Sequence, residues 1–154
     1  MEFTLNGQSI QGKPEPRVLL SDFIRDTAGL QGTKVGCEHG ACGACTVLFD
    51  GVPIRSCLML AVQAEGHEVT TVEGLCGGPE FSPLQQAFHD CHALQCGFCT
   101  AGFLVTLTAL FRDKPHPTDT EISEAIAGHL CRCTGYVGIL EAARRLAAES
   151  AAAG

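Results

Sequence analysis

No run of lysine or arginine occurs anywhere in this sequence, and its 10 basic residues face 17 acidic ones for a formal net charge of −7. That balance excludes a basic surface for a nucleic-acid backbone and a polybasic patch for an anionic membrane. No apolar stretch reaches the roughly 20 residues that a membrane-spanning helix needs. The opening residues, Met1-Glu2-Phe3-Thr4, lack the basic region and apolar core of a secretory signal, which points to a cytoplasmic protein. A convincing catalytic set is missing too. His67, His89, His92, His116 and His129 are scattered without a partner at motif spacing and read as surface or capping residues, with His39 solvated in its loop.

Cysteine, by contrast, is abundant: ten in 154 residues. In a small secreted protein such a count would mean disulfides, but in a reducing compartment it means metal or redox chemistry. The chain is 45% hydrophobic and 18% charged, an ordinary globular balance, and is long enough for one full domain or two small ones.

The spacing of the cysteines identifies the chemistry. Cys37, Cys42 and Cys45 form the C-x₄-C-x₂-C run of plant-type [2Fe–2S] ferredoxins. Gly36, Gly40 and Gly43 give that loop the freedom to wrap a cluster and turn backbone amides toward sulfur. A structural zinc site would use closer pairs and has no need of such glycine density. For the fourth ligand two cysteines compete. Cys57 follows a hairpin turned by Asp50-Gly51, which brings it back toward the loop, whereas Cys76 lies at the longer separation plant-type ferredoxins use but sits beside two glycines at a domain exit.

A second constellation pairs Cys96 and Cys99 with Cys131 and Cys133, a C-x₂-C and a C-x-C set among helices. Ser82 with Gln85 and Thr118 with Glu121 are capping-box patterns, and Pro83 suits a first helical position. Phe103–Phe111 is apolar nearly all round, and Ile139, Leu140, Ala143, Leu146 and Ala147 recur at helical spacing, which makes four helices. Cys96 and Cys99 then fall where a buried helix begins, and Cys131 and Cys133 just before another. Helix N-terminal dipoles would face a negatively charged cluster there.

Three segments, Cys37–Val47, Gln95–Cys99 and Leu130–Tyr136, together resemble the iron–sulfur subunit of the xanthine oxidase family of molybdenum hydroxylases, over a match from about residue 3 to residue 146. The resemblance implies an α+β chain: a β-grasp, plant-type ferredoxin-like domain followed by a four-helix domain that carries a second [2Fe–2S] cluster on Cys96, Cys99, Cys131 and Cys133. It also implies Cys57 as the fourth plant-type ligand. By the same carry-over Gln95 and Cys133 contact a molybdopterin held by a large partner subunit, with FAD on a medium one. Ala101 departs from a usual proline and His129 from a usual asparagine, while Cys76 and Cys91 have no ligand counterpart and read as small apolar residues.

The expected map is a β-rich domain at 1–75, a Gly/Pro-rich linker at 76–81 and a helical domain at 82–150, with a frayed tail at 151–154. The first domain holds a hairpin at Phe3–Ile10 turned by Asn6-Gly7, a helix near Leu20–Ala28 and a strand at Glu68–Val72. Two clusters in one chain imply an electron relay, and a chain this short leaves molybdenum and flavin to other subunits. The other reading is a freely diffusing two-cluster ferredoxin, which a single plant-type domain would already serve.

Overall fold

The computed structural model describes residues 1–76, 78 and 80–152. Gly77 and Pro79 of the expected linker, and Ala153 and Gly154 of the expected tail, lie outside the described residues.

Short alternating segments build the first half. Strands β1 (Glu2–Leu5) and β2 (Gln8–Gln11) pair antiparallel, with Phe3 opposite Ile10. Asn6 and Gly7 join them at φ of 51° and 76°, both in the left-handed region that matches the twist of a two-residue hairpin. Strands β3 (Thr46–Phe49) and β4 (Val52–Arg55) repeat the device around Asp50 and Gly51, at 48° and 82°. Strand β5 (Glu68–Thr70) pairs parallel with β1 and antiparallel with β3, so the sheet runs β2-β1-β5-β3-β4.

A helix, α1, covers one face of this sheet: an α turn at Leu20–Asp22 continued by a π turn at Phe23–Thr27. The widening is visible in Ala28, whose amide bonds the carbonyl of Phe23 at 2.9 Å. Leu20, Phe23 and Ile24 are all buried against Phe3, Leu5, Val47 and Val69 as a result. The helix expected near Leu20–Ala28 is therefore present, with a π register that the apolar pattern does not disclose. The strand expected at Glu68–Val72 stops at Thr70, and Val72–Gly74 turns as a 3₁₀ helix.

Four α-helices follow among the described residues: α2 (Pro83–Asp90), α3 (Thr100–Asp113), α4 (Asp119–Ile126) and α5 (Val137–Ala152). Both capping boxes form as their sequences suggest. Ser82 and Thr118 accept from the amides of Gln85 and Glu121, whose side chains return to the cap amides. Helix α5 continues through Ala151, where the sequence suggests fraying. Leu84, Phe88, Phe103, Leu107, Ile122, Ile126 and Ile139 form the core between the helices. No helix among the described residues is long and apolar enough to cross a membrane.

Sheet and helices share a third cluster. Because side chains alternate along a strand, Val47 of β3 joins the α1 side while Leu48 packs on Val105 and Ala109 of α3. Two arginines add polar ties across the same seam. Arg55 of β4 donates to Thr46 Oγ1 at 2.6 Å and to the Gly128 carbonyl at 2.7 Å, and Arg112 of α3 donates to the Gly51 carbonyl at 3.0 Å. The β3–β4 hairpin is thereby tied to α3 at its turn and to the segment after α4 at its open end.

Candidate iron–sulfur sites

Eight of the ten cysteines gather into two groups of four, and within each the sulfurs meet in pairs. In the first group Cys37 and Cys42 share the loop between α1 and β3, where the Cys42 amide donates to Cys37 Sγ at 3.4 Å. Cys45, buried at the entrance to β3, is in thiol contact with Cys57, buried in the 3₁₀ turn after β4. The hairpin that Asp50-Gly51 turns is what returns Cys57 to Cys45. Cys76 is elsewhere, its thiol donating to Gln85 Oε1 within the cap of α2. Cys91, at the end of α2, is half-buried against the helical core.

In the second group Cys133 Sγ lies 3.6 Å from Cys96 Sγ, and Cys99, the N-cap of α3, contacts Cys131. A spacing of about 3.7 Å is the edge of a tetrahedron of thiolates about 2.3 Å from a first-row metal. Two such pairs per group match the two irons of a binuclear cluster, each held by two protein sulfurs. Among the described residues no three His, Cys, Asp or Glu side chains converge as they would around one ion.

As free thiols these groups are tuned unequally. Cys37 is lowered to about 6 by hydrogen bonding from the backbone at His39 and then at Cys42. Burial and the Cys45 thiol push Cys57 up to about 11, and burial and the Cys131 thiol push Cys99 up to about 12. Burial would also raise Cys131, but donation from the Thr134 hydroxyl and amide outweighs it and holds the thiol below its ordinary value. Each quartet thus contains one thiol shifted toward the thiolate that binds metal, Cys37 or Cys131, and one that burial shifts away from it, Cys57 or Cys99. The donor set fits an iron–sulfur cluster at both places.

Close backbone approach brings the two sites together. Gly43, between Cys42 and Cys45, has φ of 77°, and a Cβ there would fall 2.3 Å from His129 Nδ1. A Cβ on Gly102, in the first turn of α3, would fall 2.3 Å from the Gly43 carbonyl oxygen. The helix that starts at the second group therefore rests directly on the loop of the first. Phe98, from the C-x₂-C turn, reaches across to the same loop, where a Cβ on Gly36 would meet its ring at 3.2 Å and Cys42 Sγ at 3.3 Å.

His129 corrects the sequence reading. It is not a surface residue but 2% exposed, its ring centroid 5.0 Å from that of Phe103 and its Nε2 2.7 Å from Thr106 Oγ1. Burial, followed by the nearby Arg55 charge, lowers its pKa to about 4, so the ring is neutral. His39, by contrast, is exposed, as the sequence suggests. Arg55, Phe98 and His129 act at this junction without standing out in the sequence, because most of their partners lie far along the chain.

The second group is the more open. Gln95, Cys96, Arg132 and Cys133 are exposed, surrounded by exposed Leu94, Phe98, Leu130 and Val137. Gln95 and Cys133 are thus both at the surface, beside the second cysteine quartet.

Comparison with known proteins agrees with both halves of this description. Residues 3–76 match the 2Fe-2S iron-sulfur cluster binding domain, and residues 71–144 match the [2Fe-2S] binding domain. The chain is 57% identical over 145 residues to caffeine dehydrogenase subunit gamma of Pseudomonas sp. (strain CBB1), covering 92% of this chain and 87% of that protein. It is 49% identical over 139 residues to the xanthine dehydrogenase iron-sulfur-binding subunit of Escherichia coli O157:H7, covering 88% and 86%. Its structure superposes on a chain of quinoline 2-oxidoreductase from Pseudomonas putida 86 with a TM-score of 0.94 and 50% identity, covering all of this chain and 96% of that one. With relatives this similar along nearly their whole length, the protein belongs to the iron–sulfur subunits of the xanthine oxidase family of molybdenum hydroxylases.

Proposed function

We propose that this chain relays electrons through two [2Fe–2S] clusters, one held by Cys37, Cys42, Cys45 and Cys57 and the other by Cys96, Cys99, Cys131 and Cys133. Electrons enter at the second site from a molybdopterin–molybdenum centre on a large partner subunit and leave from the first to FAD on a medium subunit. Each cluster supplies a reversible one-electron step. The residues of the chain hold the sulfurs, limit water and keep the two sites at a fixed separation.

The observation that carries this reading is the joint between the quartets. The Leu130 amide, one residue before Cys131, donates to the carbonyl of Cys42 at 2.9 Å, so the backbones of the two ligand loops are one hydrogen bond apart. A diffusing ferredoxin needs one exposed cluster, whereas a relay needs two at a constant spacing. The exposed rim around Cys96 and Cys133 supports the direction. Leu130 and Val137 are 59% and 69% exposed there, and a cluster of apolar side chains around polar ones is the composition of an interface core. In this reading Gln95 and Cys133 contact the pterin, and Cys133 joins iron to cofactor.

A division into residues 1–75 and 82–150 about a linker at 76–81 accompanies this assignment, one cluster to each part. The relatives from Pseudomonas and Escherichia coli are both named as subunits, which supports a partner-bound protein. A reducing, cytoplasmic compartment suits ten cysteines that form no disulfide.

Affinity purification of the tagged chain from its native cell tests the proposal. Co-purifying subunits with stoichiometric molybdenum and flavin, and reduction of both clusters on adding the substrate of the complex, are expected. A monomer that supports turnover by diffusing between enzymes would replace the relay subunit with a free carrier.

A further inference from the structure

The segment from His129 to Tyr136 closes on itself through its own hydrogen bonds. The Tyr136 amide donates to Thr134 Oγ1 at 3.1 Å, and the Thr134 hydroxyl donates to Cys131 Sγ at 3.1 Å. The Thr134 amide reaches the same sulfur at 3.4 Å. On the other side of the loop the Cys131 amide donates to Tyr136 Oη at 2.9 Å, whose hydroxyl donates to the His129 carbonyl at 3.2 Å.

This circuit gives the Thr134 hydroxyl one partner of each kind. Its oxygen accepts from the Tyr136 amide, and Cys131 Sγ is the acceptor within reach of its proton. Tyr136 adopts a left-handed φ of 67° to make that contact, a conformation unfavourable for a side chain with a ring. The same conformation turns the ring edge-on to Phe103, with centroids 6.2 Å apart, and packing keeps it there.

We propose that Thr134 is a redox-tuning residue, its hydroxyl raising the reduction potential of the cluster that Cys131 helps to hold. The inference rests on the ligand assignment proposed above. Reduction adds one negative charge to a cluster and its thiolates, and a donor to sulfur binds the more negative state more strongly. The step it biases is a one-electron gain in which no bond forms or breaks, and the hydroxyl proton stays on Thr134. The hydroxyl contact is confined to one site: the donors to Cys37 are backbone amides, at His39 and Cys42, and among the described residues no side-chain hydroxyl donates to Cys37, Cys42, Cys45 or Cys57. Thr134 therefore eases electron entry at the exposed site alone.

The test is a redox titration of the intact complex followed by electron paramagnetic resonance, comparing wild type with Thr134→Val and Thr134→Ser. The signal that Cys99→Ser abolishes identifies the cluster. In Thr134→Val its reduction equilibrium is expected to fall about tenfold, ~59 mV for a one-electron couple, with the other signal unmoved and Thr134→Ser close to wild type. A Thr134→Val equilibrium unchanged from wild type would overturn the inference while both signals leave the ligand assignment standing. A wild-type complex with a single [2Fe–2S] signal would overturn both. Should Thr134→Val fail to assemble, Thr134→Ala, which lacks the hydroxyl and is smaller, is titrated in its place: a comparable fall in the equilibrium of that signal supports the inference, and an equilibrium unchanged from wild type overturns it.

Discussion

The amide of Leu130 donates to the carbonyl of Cys42 at 2.9 Å, across 88 residues of sequence. Around that bond the Gly43 and Gly102 backbones touch and His129 fills the remaining space. Two cysteine sites that could have been carried on independent bodies are instead parts of one packed junction, and the electron path between them inherits its length from that packing.

Metal content is the most direct consequence. The purified complex is expected to contain about four iron and four acid-labile sulfide per copy of this chain, with two distinct paramagnetic signals on reduction. Stoichiometric zinc, or half that iron, would refute the assignment.

Replacing single cysteines separates ligands from packing. Cys57→Ser is expected to remove one cluster, because its sulfur completes the pair with Cys45. Cys76→Ser and Cys91→Ser keep full iron content, since serine can still donate to Gln85 from position 76 and Cys91 only packs on the helical core. Loss of the plant-type cluster in Cys76→Ser would reverse the choice of fourth ligand.

Two glycines in the cysteine loops distinguish backbone strain from crowding. Gly97 has φ of 78° with open space at its missing Cβ, so Gly97→Ala costs about 1–2 kcal/mol from the left-handed conformation alone. Gly43 has φ of 77° and His129 2.3 Å from that position, so Gly43→Ala adds a clash in a buried junction. Thermal unfolding with iron analysis should show the larger loss in Gly43→Ala, together with depletion of the first cluster. Equal effects would mean that the two loops are not packed together in solution.

Assembly can be separated from cluster binding on the exposed rim. Val137→Glu is expected to weaken association with the partner by about tenfold or more while both clusters remain, since the side chain is 69% exposed and offers no bond to either quartet. Arg132→Ala should act in the same direction more weakly. Tyr136 does not belong to this group, because its hydroxyl is engaged inside the loop with Cys131 and His129. Size-exclusion chromatography with iron analysis makes the measurement, and an intact Val137→Glu complex would move the docking face elsewhere.

Features that depend on neighbours in sequence were legible before the fold. The cysteine spacings, the Asn6-Gly7 and Asp50-Gly51 turns, and the capping boxes at Ser82 and Thr118 each need only a few consecutive residues to express their chemistry. The π turn of α1 was not, because its register follows from burying both Phe23 and Ile24 against the sheet. His129 was misread for a similar reason. A histidine carries no mark of burial, and the residues that pack on it or lower its pKa, Thr106, Phe103 and Arg55, stand more than twenty residues away.

By itself, then, the sequence determined two cysteine sets for iron–sulfur binding on an α+β scaffold, because a cluster-binding loop is specified by local spacing and by glycine at its turns, while spacing left the fourth cysteine of the first set open between Cys57 and Cys76. Only the tertiary structure decided how those sets face one another. Arg55 on Gly128, Leu130 on Cys42, Phe98 on Gly36 and Gly102 on Gly43 are all long-range contacts, and they exist only once the apolar faces of β3 and α3 have closed on each other.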